Sequence, residues 1–115
     1  MSHTMTVQEM IEKTKQLQQR FQTEQEQRPW TIDTYVMELL AEAGTLADTI
    51  VIKEGYRKLR ANQDIDLEDD IADLLFVVFT IAEHYGISIE HAYQSMLDAT
   101  FAKLDNRKQQ TDSAG

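Results

Sequence analysis

Glu38, Glu42 and Asp48 on one stretch of the chain, and Asp66, Glu68, Asp69, Asp70 and Asp73 on another, are the residues best equipped for chemistry. Carboxylates grouped on rigid segments hold hard divalent cations such as Mg²⁺ through oxygen. A cation held in that way activates water for attack on phosphorus, and a nearby carboxylate orients or deprotonates that water. The second group leads directly into Leu74-Leu75-Phe76-Val77-Val78-Phe79-Thr80-Ile81-Ala82, a run without charge. A helix of that composition is expected to be buried nearly all round. Asp70 and Asp73 then stand at the edge of a core, where an unpaired charge is costly. The two groups predict a metal site between helices. The ordinary alternative is that Glu38 and Glu42 are solvated and that Asp66 to Asp70 merely favour a helix N-terminus.

Four helical segments must position these groups. The first is expected from about Thr6 to Gln25, with Val7, Met10, Ile11, Leu17 and Phe21 at three-and-four spacing and a Thr6–Glu9 capping box. Arg28-Pro29 interrupts the pattern, because proline disfavours helix in the residue before it. The second starts near Thr31 or Asp33 and runs to about Lys53, with Val36, Leu39, Leu40, Ala43, Leu46, Ala47 and Ile50 as its apolar face. Gly44 within it suggests a close helix approach, since glycine otherwise costs a helix about 1 kcal/mol relative to alanine. A basic connection from Gly55 to Asn62 carries Arg57, Lys58 and Arg60. Asp64 or Asp66 caps the third helix, which ends at Tyr85-Gly86, and Ser88 caps a fourth that continues to around Arg107. Met10, Met37 and Met96 are expected in the core. His84 and His91 lack ligand spacing and are read as structural.

With 115 residues, the chain has the length of one domain, expected to span 1–115 with an ordered core of about 6–107 and a polar, disordered tail over 108–115. One Pro and four Gly fit long helices better than many turns. No cysteine is present, which removes disulfides and thiolate ligands and agrees with a cytoplasmic location. Met1-Ser2-His3-Thr4-Met5 has no signal-peptide character, and no apolar stretch reaches the roughly 18–20 residues of a membrane span. A net charge of −9 argues against a nucleic-acid polymer as partner. It leaves room for a small phosphorylated ligand, because a cation can bridge two sets of negative groups.

Helical geometry sharpens the site. At about 100° per residue, Glu38, Glu42, Thr45 and Thr49 share a band roughly 60° wide. Asp66, Asp70 and Asp73 share one side of the third helix. Two antiparallel helices with these stripes facing would bring Glu42, Asp70 and Asp73 into one pocket. Lys53, Arg57, Lys58 and Arg60 are basic enough to meet a phosphorylated ligand, though Lys58 and Arg60 are read as ordinary solvated charge. Trp30, just before the second helix, serves either as a base-stacking surface or as a hydrophobic staple.

Glu42-Ala43-Gly44-Thr45-Leu46-Ala47-Asp48, followed by Asp69-Asp70-Ile71-Ala72-Asp73-Leu74-Leu75-Phe76, resembles the MazG-like all-α nucleoside triphosphate pyrophosphohydrolases. Their signature is a Glu-x-x-Glu helix followed by a Glu-x-x-Asp helix. The likeness covers about Pro29 to Arg107 and includes Gly86-Ile87-Ser88-Ile89-Glu90. Two positions depart from the pattern: Thr45 stands for the second Glu, and Asp70 replaces the Glu of the second motif. Glu38, one turn before Glu42, is placed to supply the missing charge.

The resemblance implies an all-α, four-helix domain that assembles as a homodimer or homotetramer. An apolar third helix, which one short chain can hardly cover, points the same way. It further implies Mg²⁺-dependent (or Mn²⁺-dependent) hydrolysis of a nucleoside triphosphate to monophosphate and pyrophosphate, clearing non-standard or surplus nucleotides. Glu38, Glu42, Asp70 and Asp73 become the expected metal ligands, with Glu42 and Asp73 catalytic. Lys103 and Arg107 join Lys53, Arg57 and Trp30 as expected substrate contacts. The loss of a carboxylate at Thr45 supports a second expectation: a catalytically degenerate homologue that binds nucleotide or a partner protein without turnover.

Overall fold

Local capping chemistry fixes where each helix begins and ends. The computed structural model describes residues 4–114, with side chains through 110. In it, α1 (Val7–Glu24), α2 (Ile32–Lys53), α3 (Leu67–His84) and α4 (Ile89–Ala114) follow in order, with no strand among the described residues. Thr6 and Glu9 form the reciprocal capping box expected at the head of α1. Thr31 caps α2, Asp66 accepts the Asp69 N–H at the start of α3 (3.2 Å), and Ser88 accepts that of His91 at the start of α4 (3.3 Å). At the other ends, α2 and α3 each close through a glycine in the left-handed region, Gly55 at φ 84° and Gly86 at φ 65°. Tyr56 N–H reaches Val51 C=O (3.0 Å) and Ile87 N–H reaches Ala82 C=O (2.8 Å), the longer bond of a Schellman motif in each case.

The chain divides into two compact units, Met1–Ile81 and Ala82–Gly115. In the first, α2 and α3 run antiparallel: Thr49, late in α2, meets Asp70, early in α3, while Trp30 at the head of α2 meets Phe76 further along α3. On the other side α1 is tied to α3 by a polar contact, Gln18 Nε2 donating to Thr80 Oγ1 (2.9 Å). Thr80 in turn donates to Phe76 C=O (2.8 Å), so a threonine only 2% exposed has both its roles filled.

Five expectations change. α3 is not covered all round: in the first unit Val77 and Phe79 are buried, but Ile71, Leu75 and Val78 are exposed, because α1 and α2 cover only part of its surface. The inward line of α2 is Tyr35, Glu38, Leu39, Glu42, Leu46, Thr49 and Ile52. Its expected apolar face is largely outside, with Val36, Ala43, Ala47 and Ile50 exposed and Leu40 67% exposed. Gly44 meets nothing within 4 Å of where a Cβ would sit, so it permits no close approach within this chain, and Met37 and Met96 are exposed rather than core. Finally, α4 continues past Arg107 through the expected tail to Ala114. Met1-Ser2-His3 and Gly115 lie outside the described residues.

The second unit comprises the last turn of α3, the Gly86 turn and α4. Tyr93, Leu97, Phe101 and Leu104 recur at helical spacing along α4, and all four are exposed.

Candidate metal centre

Asp69, Asp70 and Asp73 each offer an oxygen, and those oxygens lie within 4.8 Å of one another. The cause is local: residues three and four apart on a helix stand one above the other. Three like charges so placed repel, and something must hold them there. Part of the answer is Thr49, whose hydroxyl donates to Asp70 Oδ2 across the α2–α3 seam. Both groups are buried, Thr49 at 3% and Asp70 at 8% exposure. That bond fixes the Asp70 carboxylate and leaves Oδ1 as its other oxygen.

Glu42 enters from α2. Its carboxyl is pushed above the ordinary range, first by burial and then by the charges of Asp73, Glu38, Asp70 and Asp69. Asp73 reaches solvent along one side, yet its carboxyl is also raised, by desolvation against the packed helices and then by Asp69 and Asp70. Two carboxyls that ionise reluctantly beside three neighbouring carboxylates form a strongly negative cluster, in which Asp70 is buried while Asp69 and Asp73 are exposed. Its donors are all hard oxygens in a compact anionic set. That fits a cation of the Mg²⁺ type and offers a softer metal neither thiolate nor imidazole.

Of the four expected ligands, Asp70 and Asp73 belong to the tight trio. Glu42 stands in the same electrostatic neighbourhood, and Glu38, half-buried one turn before it, acts on it through charge. Asp69 completes the trio and was not among the expected ligands. Its spacing of four from Asp73 is the signal that identifies it. Asp66 is committed to capping α3 and is not part of the trio. Thr45 is exposed, and its hydroxyl donates back to Ala41 C=O (3.0 Å).

The expected substrate contacts are more dispersed. Lys53 is exposed in the last turn of α2. Arg57 pairs with Asp48 Oδ1, and the other Asp48 oxygen accepts from Gln63 Nε2 (3.2 Å). Asp48 thus pins the loop between α2 and α3, and Arg57 is engaged there rather than with the trio. Lys103 and Arg107 lie one turn apart on α4 and line one cleft on that helix. Trp30 acts as a staple: it precedes the cap Thr31 and meets Tyr35, four residues into α2, edge to face at 5.6 Å. It also meets Phe76 at 6.4 Å, which joins the head of α2 to α3.

No curated protein matches the chain, and no solved structure does. The profile of the MazG nucleotide pyrophosphohydrolase domain matches residues 30–111, most of the chain and both carboxylate-bearing helices. The chain therefore belongs to the MazG nucleotide pyrophosphohydrolase domain family.

Proposed function

We propose that this chain hydrolyses a nucleoside triphosphate or deoxynucleoside triphosphate to its monophosphate and pyrophosphate, in a Mg²⁺-dependent reaction that removes non-standard or surplus nucleotides. The observation that carries the reading is the cluster in which Glu42 and the Asp69–Asp70–Asp73 trio share one field. Mg²⁺, or Mn²⁺ in its place, would supply charge neutralisation at the phosphates and a more acidic water. Asp69, Asp70 and Asp73 would hold the cation, with Asp70 kept in place by Thr49. Glu42, whose carboxyl takes up a proton more readily than usual, accepts the proton of the attacking water. Lys53 is the cation on α2 best placed to receive phosphate. Arg57 joins it by exchanging Asp48 for phosphate oxygen; Lys103 and Arg107 on α4 are the further phosphate contacts that the family likeness implies.

The test is a panel of nucleoside triphosphates with Mg²⁺ or Mn²⁺, with both products quantified. Monophosphate and pyrophosphate in equal amounts are expected. Release of orthophosphate alone would contradict the reading. Nucleotide binding without any product would favour the degenerate homologue, to which Thr45, its hydroxyl tied to Ala41, gives specific support.

We further propose that the chain assembles as a homodimer or homotetramer. Two uncovered apolar stripes support this: Val36, Leu40, Ala43, Ala47 and Ile50 on α2, and Tyr93, Leu97, Phe101 and Leu104 on α4. Exposed patches of that extent mark interaction surfaces. Sedimentation equilibrium should give a multiple of the 13.3 kDa chain mass, and Leu40→Glu should shift it toward one chain. A wild-type chain that sediments as a monomer at all concentrations would overturn the assembly.

A further inference from the structure

Thr49 departs from a habit that other threonines in these helices keep. A threonine hydroxyl inside a helix ordinarily turns back to the carbonyl one turn earlier. Thr14, Thr23, Thr45, Thr80 and Thr100 all do so, each donating to the carbonyl four residues back at 2.8–3.0 Å. The matching acceptor for Thr49 is the Thr45 carbonyl on α2. A hydroxyl has one proton to give, and Thr49 gives it to Asp70 Oδ2 on α3 instead. A carboxylate is the stronger acceptor, since a charge-assisted hydrogen bond is roughly twice as strong as a neutral one.

The diverted bond matters more to Asp70 than to Thr49. Oxygens of Asp69, Asp70 and Asp73 lie within 4.8 Å of one another, and their repulsion favours turning a carboxylate away. Asp69 and Asp73 are exposed, so water screens their charges. Asp70 and Thr49 are both buried, so the hydroxyl does for Asp70 what water does for the other two. An aspartate has only two side-chain torsions, and a donor on one oxygen restricts where the other can point. The arrangement that a cation needs is thereby populated beforehand. Apparent affinity scales with that population.

We infer that Thr49 is a positioning residue that sets the cation affinity of the centre, its hydroxyl diverted from the Thr45 carbonyl to hold Asp70 beside Asp69 and Asp73 before a cation binds. The inference rests on the divalent-cation reading above and adds to it an uncharged residue from the facing helix.

Two substitutions separate the hydroxyl from the space it fills. Thr49→Val keeps the shape and removes the proton, whereas Thr49→Ser keeps the proton and removes a methyl. The probe is Mn²⁺ alone, followed by its paramagnetic resonance signal, with Mg²⁺ as competitor. Thr49→Val is expected to weaken binding about 10–100-fold, the usual worth of a partner that orients a metal ligand. Thr49→Ser is expected to bind as wild type does. Loss in Thr49→Ser with none in Thr49→Val would assign Thr49 a packing role and overturn the inference. Should Thr49→Val not fold, a loss of affinity in Thr49→Ser still overturns it. Metal-free melting gives an independent reading. Thr49→Val should lower the melting temperature of wild type, because a buried carboxylate loses its donor, and should change that of Asp70→Leu little, because both partners are then apolar. An equal drop in both backgrounds would contradict the pairing. If wild type and Thr49→Val bind Mn²⁺ equally, the inference fails and the cation reading stands. If wild type binds no divalent cation, both fail.

Discussion

Asp73→Asn is expected to abolish pyrophosphate release while making the metal-free protein more stable. The two effects have one origin. Asp73 is held in a partly desolvated position against the charges of Asp69 and Asp70, and it is the largest charge acting on Glu42. Removing its charge relieves that repulsion and also removes a carboxylate oxygen from the proposed cation site. A loss of roughly 10²–10⁴-fold in turnover is expected, in keeping with the removal of a positioned acid–base or metal-holding group. The pH dependence carries the matching sign. Glu42 and Asp73 bind protons more readily in the fold than in the unfolded chain, so ionising them costs the fold stability. Metal-free wild type should therefore melt higher as pH falls from neutral through their folded titration range, the gain from these two groups being complete below their ordinary values of 4.5 and 3.8. Asp73→Asn should flatten that slope. Mg²⁺ at neutral pH should raise the melting temperature of wild type, because it binds the native state preferentially, and should do so far less in the variant. Unchanged turnover in Asp73→Asn, or no Mg²⁺ shift in wild type with or without nucleotide, would count decisively against this site.

How much of this was legible in the sequence depended on whether the controlling interaction was local. Thr6 with Glu9, Thr31, Asp66, Ser88, Gly55 and Gly86 all act within one turn of a helix end, and the helix boundaries they set agree with the structure to within about two residues. Which face of α2 turns inward was not local. Two stripes run along that helix, one apolar and one carrying Glu38, Glu42 and Thr49, and either reads as amphipathic. The choice was made by α3, whose Asp70 offers Thr49 a buried hydrogen bond. The apolar stripe was then left outside. The trio on α3 was half legible, since the spacing of Asp69, Asp70 and Asp73 predicts their proximity. That Asp66 would instead be used up as a cap needed the backbone. α4 runs past the expected end near Arg107 because polarity alone does not stop a helix. Lys108, Gln109 and Gln110 are good helix formers, and no Gly or Pro intervenes before Gly115.

Glu38→Gln should reduce Mg²⁺ affinity and turnover together, and it decides what the threonine at position 45 means. The family pattern places a carboxylate where Thr45 stands, and Thr45 supplies none: its hydroxyl is turned back to Ala41 C=O. Glu38 lies on the same stripe of α2, is half-buried, and already raises the Glu42 carboxyl by its charge. A carboxylate in that relation to the pocket contributes even without direct contact, because groups that orient or charge-balance a metal site typically carry about 10–100-fold in affinity or activity. The expected loss in Glu38→Gln is of that size, read by calorimetric Mg²⁺ titration and by pyrophosphate release. Thr45→Glu provides the opposing test. With Glu38 already filling the role, a further carboxylate on the stripe adds repulsion to Glu42, and turnover should fall or stay level rather than rise. Full activity in Glu38→Gln would sink the compensation. A parent chain inactive on every nucleotide, restored by Thr45→Glu, would instead establish a degenerate site whose missing charge was never replaced.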